Sequence, residues 1–199
     1  MKIFSKITLF AVIITSLGCS ENSELPVDTI EEVELPITID EDEELNGNNG
    51  ESFLPMHIGN YWKYNDENYT EILDTLRIQG DLYYKFYSLI GGDGILIQYL
   101  RIDDDQNLIR SHPDFPDSKS IQAKFNASLG SKFWTRNDQT SNDLRVTVIE
   151  KEDTLISFEF QMVYHPILRD THRKTYIRGL GWNNYNEIKI EDNIYTFER

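Results

Sequence analysis

Three glycine–tryptophan units, one aspartate-rich turn, two histidines and one cysteine are the residues of this chain whose types and spacing could do chemistry. Gly59-Asn60-Tyr61-Trp62, Gly130-Ser131-Lys132-Phe133-Trp134 and Gly179-Leu180-Gly181-Trp182 each set an indole shortly after a glycine. Glycine takes positive φ readily, so the chain can turn sharply there and drive the following aromatic into a sheet corner or a barrel end. Left exposed, the same indoles would stack on a sugar or another flat ligand, which makes Trp62, Trp134 and Trp182 the candidate ligand-binding residues.

Asp103, Asp105 and Asn107 place oxygens at the first, third and fifth positions of a calcium-loop pattern, with Asp114 at the twelfth. Leu108 stands at the sixth position, where the sharp turn needs glycine. Asp and Asn favour hairpin turns through their own bonds to the backbone, so a plain turn is expected there and no metal. His165 and His172 flank a turn over 166–171 with Asp170 nearby, and two imidazoles fall short of a metal-binding set. Acid–base pairs for glycoside hydrolysis are defined by separation in space, which residue spacing does not supply. A Gly-x-Ser-x-Gly elbow, His-Glu-x-x-His, a phosphate loop and a dinucleotide fingerprint are all absent from the sequence. No catalytic residue and no cofactor is therefore expected.

Cys19, the only cysteine, has a different context. Lys2 and Lys6 precede an apolar run over 7–17 that ends in Ser16-Leu17-Gly18-Cys19. A basic start, an apolar middle and a small-residue cleavage site make residues 1–18 a signal peptide; the run is too short for a span of roughly 20 apolar residues. The cysteine directly after Gly18 resembles a lipobox, although Ser16 occupies the place where Leu is usual. That resemblance implies cleavage before Cys19 and acylation of its thiol. A single cysteine also excludes an intramolecular disulfide.

Charge and aromatic content divide the remainder sharply. Residues 20–52 hold twelve Asp and Glu and no Lys or Arg, so most of the net charge of −15 belongs to them. Low apolar content with one sign of charge does not offset the entropy of ordering, and 19–52 reads as a lipidated cysteine followed by a disordered acidic tether. A flexible coil of that length spans roughly 30 Å. Nucleic acid is not an expected partner, since its binding depends on basic groups that neutralise phosphates. From Phe53 onward lie 22 of the 24 aromatic residues, so 53–199 reads as one domain with a core of its own.

The periodicity of that domain is that of strands. Over 155–164, Ile156, Phe158, Phe160, Met162 and Tyr164 share one parity while Ser157, Glu159 and Gln161 take the other. Residues 144–149 alternate similarly and form a hairpin with it across the polar turn 151–154. Further strands are predicted at 60–64, 70–79, 82–90, 95–102, 108–111, 121–125, 174–178, 185–190 and 194–198, with 111–118 as the longest surface loop. Connections this short demand antiparallel neighbours. The expected fold is all-β, an antiparallel meander forming a barrel or a sandwich.

The opening Phe53-Leu54-Pro55-Met56-His57-Ile58-Gly59-Asn60-Tyr61-Trp62-Lys63-Tyr64 resembles a recurrent start of secreted and lipid-anchored Bacteroidota domains, of the form Pro-Leu-x-x-Gly-Asn-x-Trp-x-Tyr. Arg178-Gly179-Leu180-Gly181 matches a second segment common in those domains, while Met56 stands where Leu is commoner. The resemblance implies an envelope address and β architecture, with no catalytic residue to carry over. The acidic Cys19-Ser20-Glu21-Asn22-Ser23-Glu24 is similar to a surface-export signal of the same phylum, which implies the outer face of the outer membrane. The expected function is a lipid-anchored, non-catalytic module that binds an envelope protein or glycan or serves a structural role. The alternatives are a carbohydrate-binding module and a glycan-degrading hydrolase.

Metabolic labelling with a palmitate analogue tests the anchor. Wild-type chain is expected to take label and Cys19→Ser to take none; an unlabelled wild type contradicts the lipobox reading.

Overall fold

The computed structural model describes residues 51–198, within the second of the chain's two units, 39–199. Cys19, the signal peptide and the acidic stretch to residue 50 lie outside the described residues. Strands β1 (Tyr61–Asn65), β2 (Asn68–Ile78), β3 (Asp81–Ile90), β4 (Gly94–Ile102), β5 (Asn107–Ser111) and β6 (Ser120–Lys124) follow one another as a meander. Next come β7 (Lys132–Trp134), β8 (Leu144–Lys151), β9 (Leu155–Met162), β10 (Thr171–Ile177) and β11 (Gly181–Trp182), which make a second sheet in the order β11-β10-β9-β8-β7. The chain then returns: β12 (Glu187–Ile190) pairs with β1, and β13 (Asn193–Thr196) completes an eight-stranded first sheet.

Every pairing is antiparallel. Among the described residues there is no helix. The two sheets share a core drawn from both, with Phe86, Leu100 and Leu108 facing Val148, Phe158 and Tyr176. The result is a sandwich rather than a closed barrel.

The alternation that predicts β9 is carried by Ile156, Phe158 and Phe160, all buried, with Glu159 exposed. Ser157 breaks the pattern, because it is buried although it points away from the core. Its hydroxyl donates to Glu150 at 2.9 Å and lies 2.8 Å from Thr175 Oγ1, and Arg173 covers it from the neighbouring strand. Hydrogen-bonded cross-strand neighbours thus shield one residue of the outer face.

The Gly-Asn-x-Trp segment has a physical account. Gly59 takes φ +88 and lets the chain turn into β1. Asn60, wholly buried, donates from Nδ2 to Pro55 O at 3.2 Å and accepts at Oδ1 from Glu191 N–H at 2.7 Å. One amide therefore ties the incoming segment, where Phe53, Leu54 and Met56 enter the core, to the β12–β13 turn. Two residues on, Trp62 is fully buried against Phe86 and Trp182, at 6.1 and 4.9 Å between ring centroids. Its Nε1 donates to Leu180 O at 2.6 Å, a bond from β1 of the first sheet to the β10–β11 turn of the second. Gly181 makes this contact possible, since a Cβ there would sit 2.6 Å from Trp62 Nε1.

Three expectations are corrected. Strands β7 and β11 were missing from the prediction because two or three residues cannot display an alternation. The longest connection runs over 135–143, not 111–118. It is held by buried Asp143, whose carboxylate accepts from the N–H groups of Arg136, Asp138 and Gln139, an arrangement that hydropathy does not reveal. Lastly, the final hairpin leaves the meander to pair with β1, because the inward face of β12, Ile188 and Ile190, joins the same core as Trp62.

Asn60→Ala is expected to destabilise the domain in urea unfolding by about 1–3 kcal/mol for the buried Pro55 C=O left unpaired, with a smaller loss at the exposed Glu191; an unchanged midpoint contradicts the role given to the amide. Gly181→Ala and Gly80→Ala separate strain from close approach, because both glycines have similar positive φ (+85 and +91) while a Cβ at Gly80 meets nothing within 4 Å. Gly80→Ala is expected to cost about 1–2 kcal/mol, and Gly181→Ala to exceed it by about 1–3 kcal/mol for the displaced indole. Equal costs contradict the packing described.

Candidate functional site

Where β2, β3 and β4 face β10 and the chain after β11, the sheets part to leave an open cleft of about 1240 Å³. Its floor on the meander side includes Thr70, Ser88 and Gln98. Thr70 and Ser88 are directly opposite in the β2–β3 register, buried, with their hydroxyls 2.8 Å apart. Burial raises the pKa of the Tyr185 phenol, opposed by its hydrogen bond to Thr70.

The facing wall is the inward side of β10. Register places His172, Lys174 and Tyr176 opposite Phe160, Phe158 and Ile156, so all six residues face inward. His172 stacks on Phe160 with centroids 4.9 Å apart and planes within 5°, and Lys174 Nζ lies 5.1 Å from the centre of the same ring. Burial, and then the nearby Arg110 guanidinium, lower the Lys174 pKa. Tyr176 is fully buried, which pushes its phenol well above the usual range.

A smaller cavity of about 290 Å³ shares Leu96 and Gln98 with the cleft and adds Arg110 and Arg136. Arg110 lies on the inward face of β5, paired with Leu100 of the core. Its pKa is lowered by burial and, secondarily, by Arg136. The described lining of the two cavities contains no Asp or Glu.

The residues singled out in the sequence are dispersed. Trp62 is a buried plug with no face free for a ligand. Trp182, packed edge-on against Trp62 and Phe86, reaches the cleft. Trp134 lies apart, stacked on Tyr164 at 5.0 Å. Asp103, Asp105 and Asn107 occupy the β4–β5 turn: both Asp103 carboxylate oxygens accept from Asn107, at 2.7 and 3.0 Å, and Gln106 takes φ +62. These bonds build a turn, and no group of three or more metal-ligating side chains occurs among the described residues. His165 Nδ1 accepts from the N–H groups of Ile167 and Leu168, capping its own loop, whereas His172 belongs to the cleft.

Comparison with protein-family models, with curated proteins and with solved structures found no match. Lys174, Arg110, Gln98, Thr70 and Ser88 were not singled out in the sequence. The available signal was a charged residue at an inward parity position, Lys174 two residues before Tyr176 and Arg110 two residues after Leu108.

His172 gives a test by pH. Burial and Lys174 hold its pKa below the ordinary value, with Asp170 opposing, so the unfolded chain binds more protons in the window between the two values. The contribution of His172 to stability is present above the unfolded value of about 6.5 and is lost as pH falls below it. The stability difference between wild type and His172→Phe is expected to move in favour of the variant between pH 7 and 5; a difference independent of pH contradicts the assignment.

Proposed function

We propose that the chain is a cell-envelope lipoprotein, anchored through acyl chains at Cys19, with a sandwich that serves as a non-catalytic binding module and seats its ligand in the inter-sheet cleft. The observation that carries the binding reading is the cleft itself, an open space of about 1240 Å³ between two sheets that otherwise share a close-packed core. That volume exceeds the roughly 300–1,000 Å³ of ordinary small-molecule sites and suits a ligand of several linked rings. A folded partner would present a flatter surface. Trp182 and Tyr185 beside Thr70, Ser88 and Gln98 combine aromatic surface with hydroxyl and amide groups, the pairing that a sugar engages through its apolar face and its hydroxyls. Hydrolysis by a carboxylate pair has neither acid nor base in this lining.

The address rests on the sequence. The basic start, the apolar run and Gly18-Cys19 support lipid attachment, and acidic residues just after Cys19 support the outer face of the outer membrane. The membrane is the proposed first partner and an envelope glycan the second. Nucleic acid has no place in this scheme, given the net charge of −15.

An array of neutral and acidic oligosaccharides, probed with the full chain, tests the binding reading. Wild type is expected to bind part of the array, Gln98→Trp to lose that binding by obstructing the cleft, and Trp134→Ala to keep it. Binding that survives Gln98→Trp or disappears with Trp134→Ala moves the site elsewhere, and new reducing ends on the bound sugars overturn the non-catalytic assignment.

A further inference from the structure

The lining of the cleft and its side cavity is unlike the rest of this chain. In a protein with 34 acidic and 19 basic side chains, it contains Arg110, Arg136, Lys174 and the weaker bases His112 and His172, and no carboxylate. Arg173 also reaches the cleft, but its guanidinium is engaged by Glu150 and Ser157 on the outer face.

Arg110 and Lys174 come from opposite sheets, both on inward faces, and both are half-buried. Neither side chain has a hydrogen bond or an ion pair among the described residues; Lys174 has only the face of Phe160. The carboxylates acting on neighbouring groups, Asp114 on His112 at 3.7 Å, Asp138 on Arg136 and Asp170 on His172, lie outside the lining. Two partly desolvated cations on facing inner walls oppose folding, and burial together with Arg110 lowers the pKa of Lys174 in the sense of that repulsion. Structural cations in such positions are normally neutralised by a partner from the same chain. Here open volume lies beside each of them, Lys174 lining the cleft and Arg110 the smaller cavity, and Leu96 and Gln98 belong to the lining of both.

We infer that the cleft is built for an acidic saccharide, with Arg110 and Lys174 receiving a carboxylate or sulfate group while Trp182 and Tyr185 flank the sugar rings. This rests on the proposal that the cleft is the ligand seat. Arg110 supplies a planar fork suited to a two-oxygen anion, Lys174 a point charge from the opposite wall, and Gln98 a neutral amide between them. The anion would supply the negative charge that the lining lacks. The prediction that follows is an inverse relation: removing either cation weakens binding without weakening the fold, because the unliganded domain is relieved of like-charge repulsion.

The test uses the full chain in detergent at low salt and three probes of equal length: an oligogalacturonate, a sulfated oligosaccharide and a neutral oligosaccharide. Binding is followed by tryptophan fluorescence, beside the thermal midpoint of each variant. At least one charged probe is expected to bind tenfold or more tightly than the neutral one, and to weaken as salt is raised. The tighter of the two charged probes identifies the anion. Lys174→Met and Arg110→Met are each expected to lose about tenfold in affinity for it, with midpoints equal to or above that of wild type. Neutral and charged probes bound equally, and lost together in Gln98→Trp, overturn the acidic-ligand inference while leaving the cleft as the seat. Charged-probe binding that survives both methionine variants also overturns it. Charged-probe binding that survives Gln98→Trp overturns the seat and the inference together.

Discussion

The indole of Trp62 is the contact on which the arrangement of this domain depends. It belongs to the first strand of one sheet, yet its N–H is spent on a carbonyl in a turn of the other. That bond lies among apolar groups, where an unpaired indole N–H or carbonyl is costly and a paired one sets geometry closely. Gly181 has no side chain to keep the turn away, and the neighbouring Trp182 is packed edge-on against the same indole. Because Trp182 also reaches the cleft, one buried contact sets both the spacing of the sheets and the position of an aromatic at the candidate site.

Around this pin the chain closes on itself from both ends. Asn60 links the incoming segment at Pro55 to the β12–β13 turn at Glu191. Phe53 stacks on Phe125 at 5.4 Å, and the Arg178 guanidinium lies 4.2 Å from the centre of its ring. Arg178 also donates to Glu51 O and Asp153 O, both at 2.6 Å. The entry of the chain into the domain is thus held by the Phe125 ring, which follows β6, and by cationic and backbone groups from the segment between β10 and β11.

Much of the fold was legible in the sequence, and the reasons are local. Alternation in 155–164 and 144–149 gave β9 and β8, because a half-buried strand must segregate its side chains by parity. Turn residues at 79–81 and 91–94 marked connections too short for anything but antiparallel pairing. What stayed hidden was long-range. Nothing near Ile188 announces β1 as its neighbour, and the three residues of β7 carry too little pattern to read. The site divides in the same way. The tryptophans were visible as residue types, but only three-dimensional packing distinguishes Trp62, a plug, from Trp182 at a cleft and Trp134 on a separate stack. Lys174 and Arg110 were overlooked because a charge is ordinarily assigned to solvent, although their parity already placed them inside.

Hydrogen exchange at the three indole N–H groups, followed by NMR, tests the central contact most directly. The account predicts that Trp62 Nε1–H exchanges only through global unfolding and is the slowest of the three, with Trp134 much faster. A Trp62 indole that exchanges as fast as that of Trp134 would contradict the bond to Leu180 and the arrangement built on it.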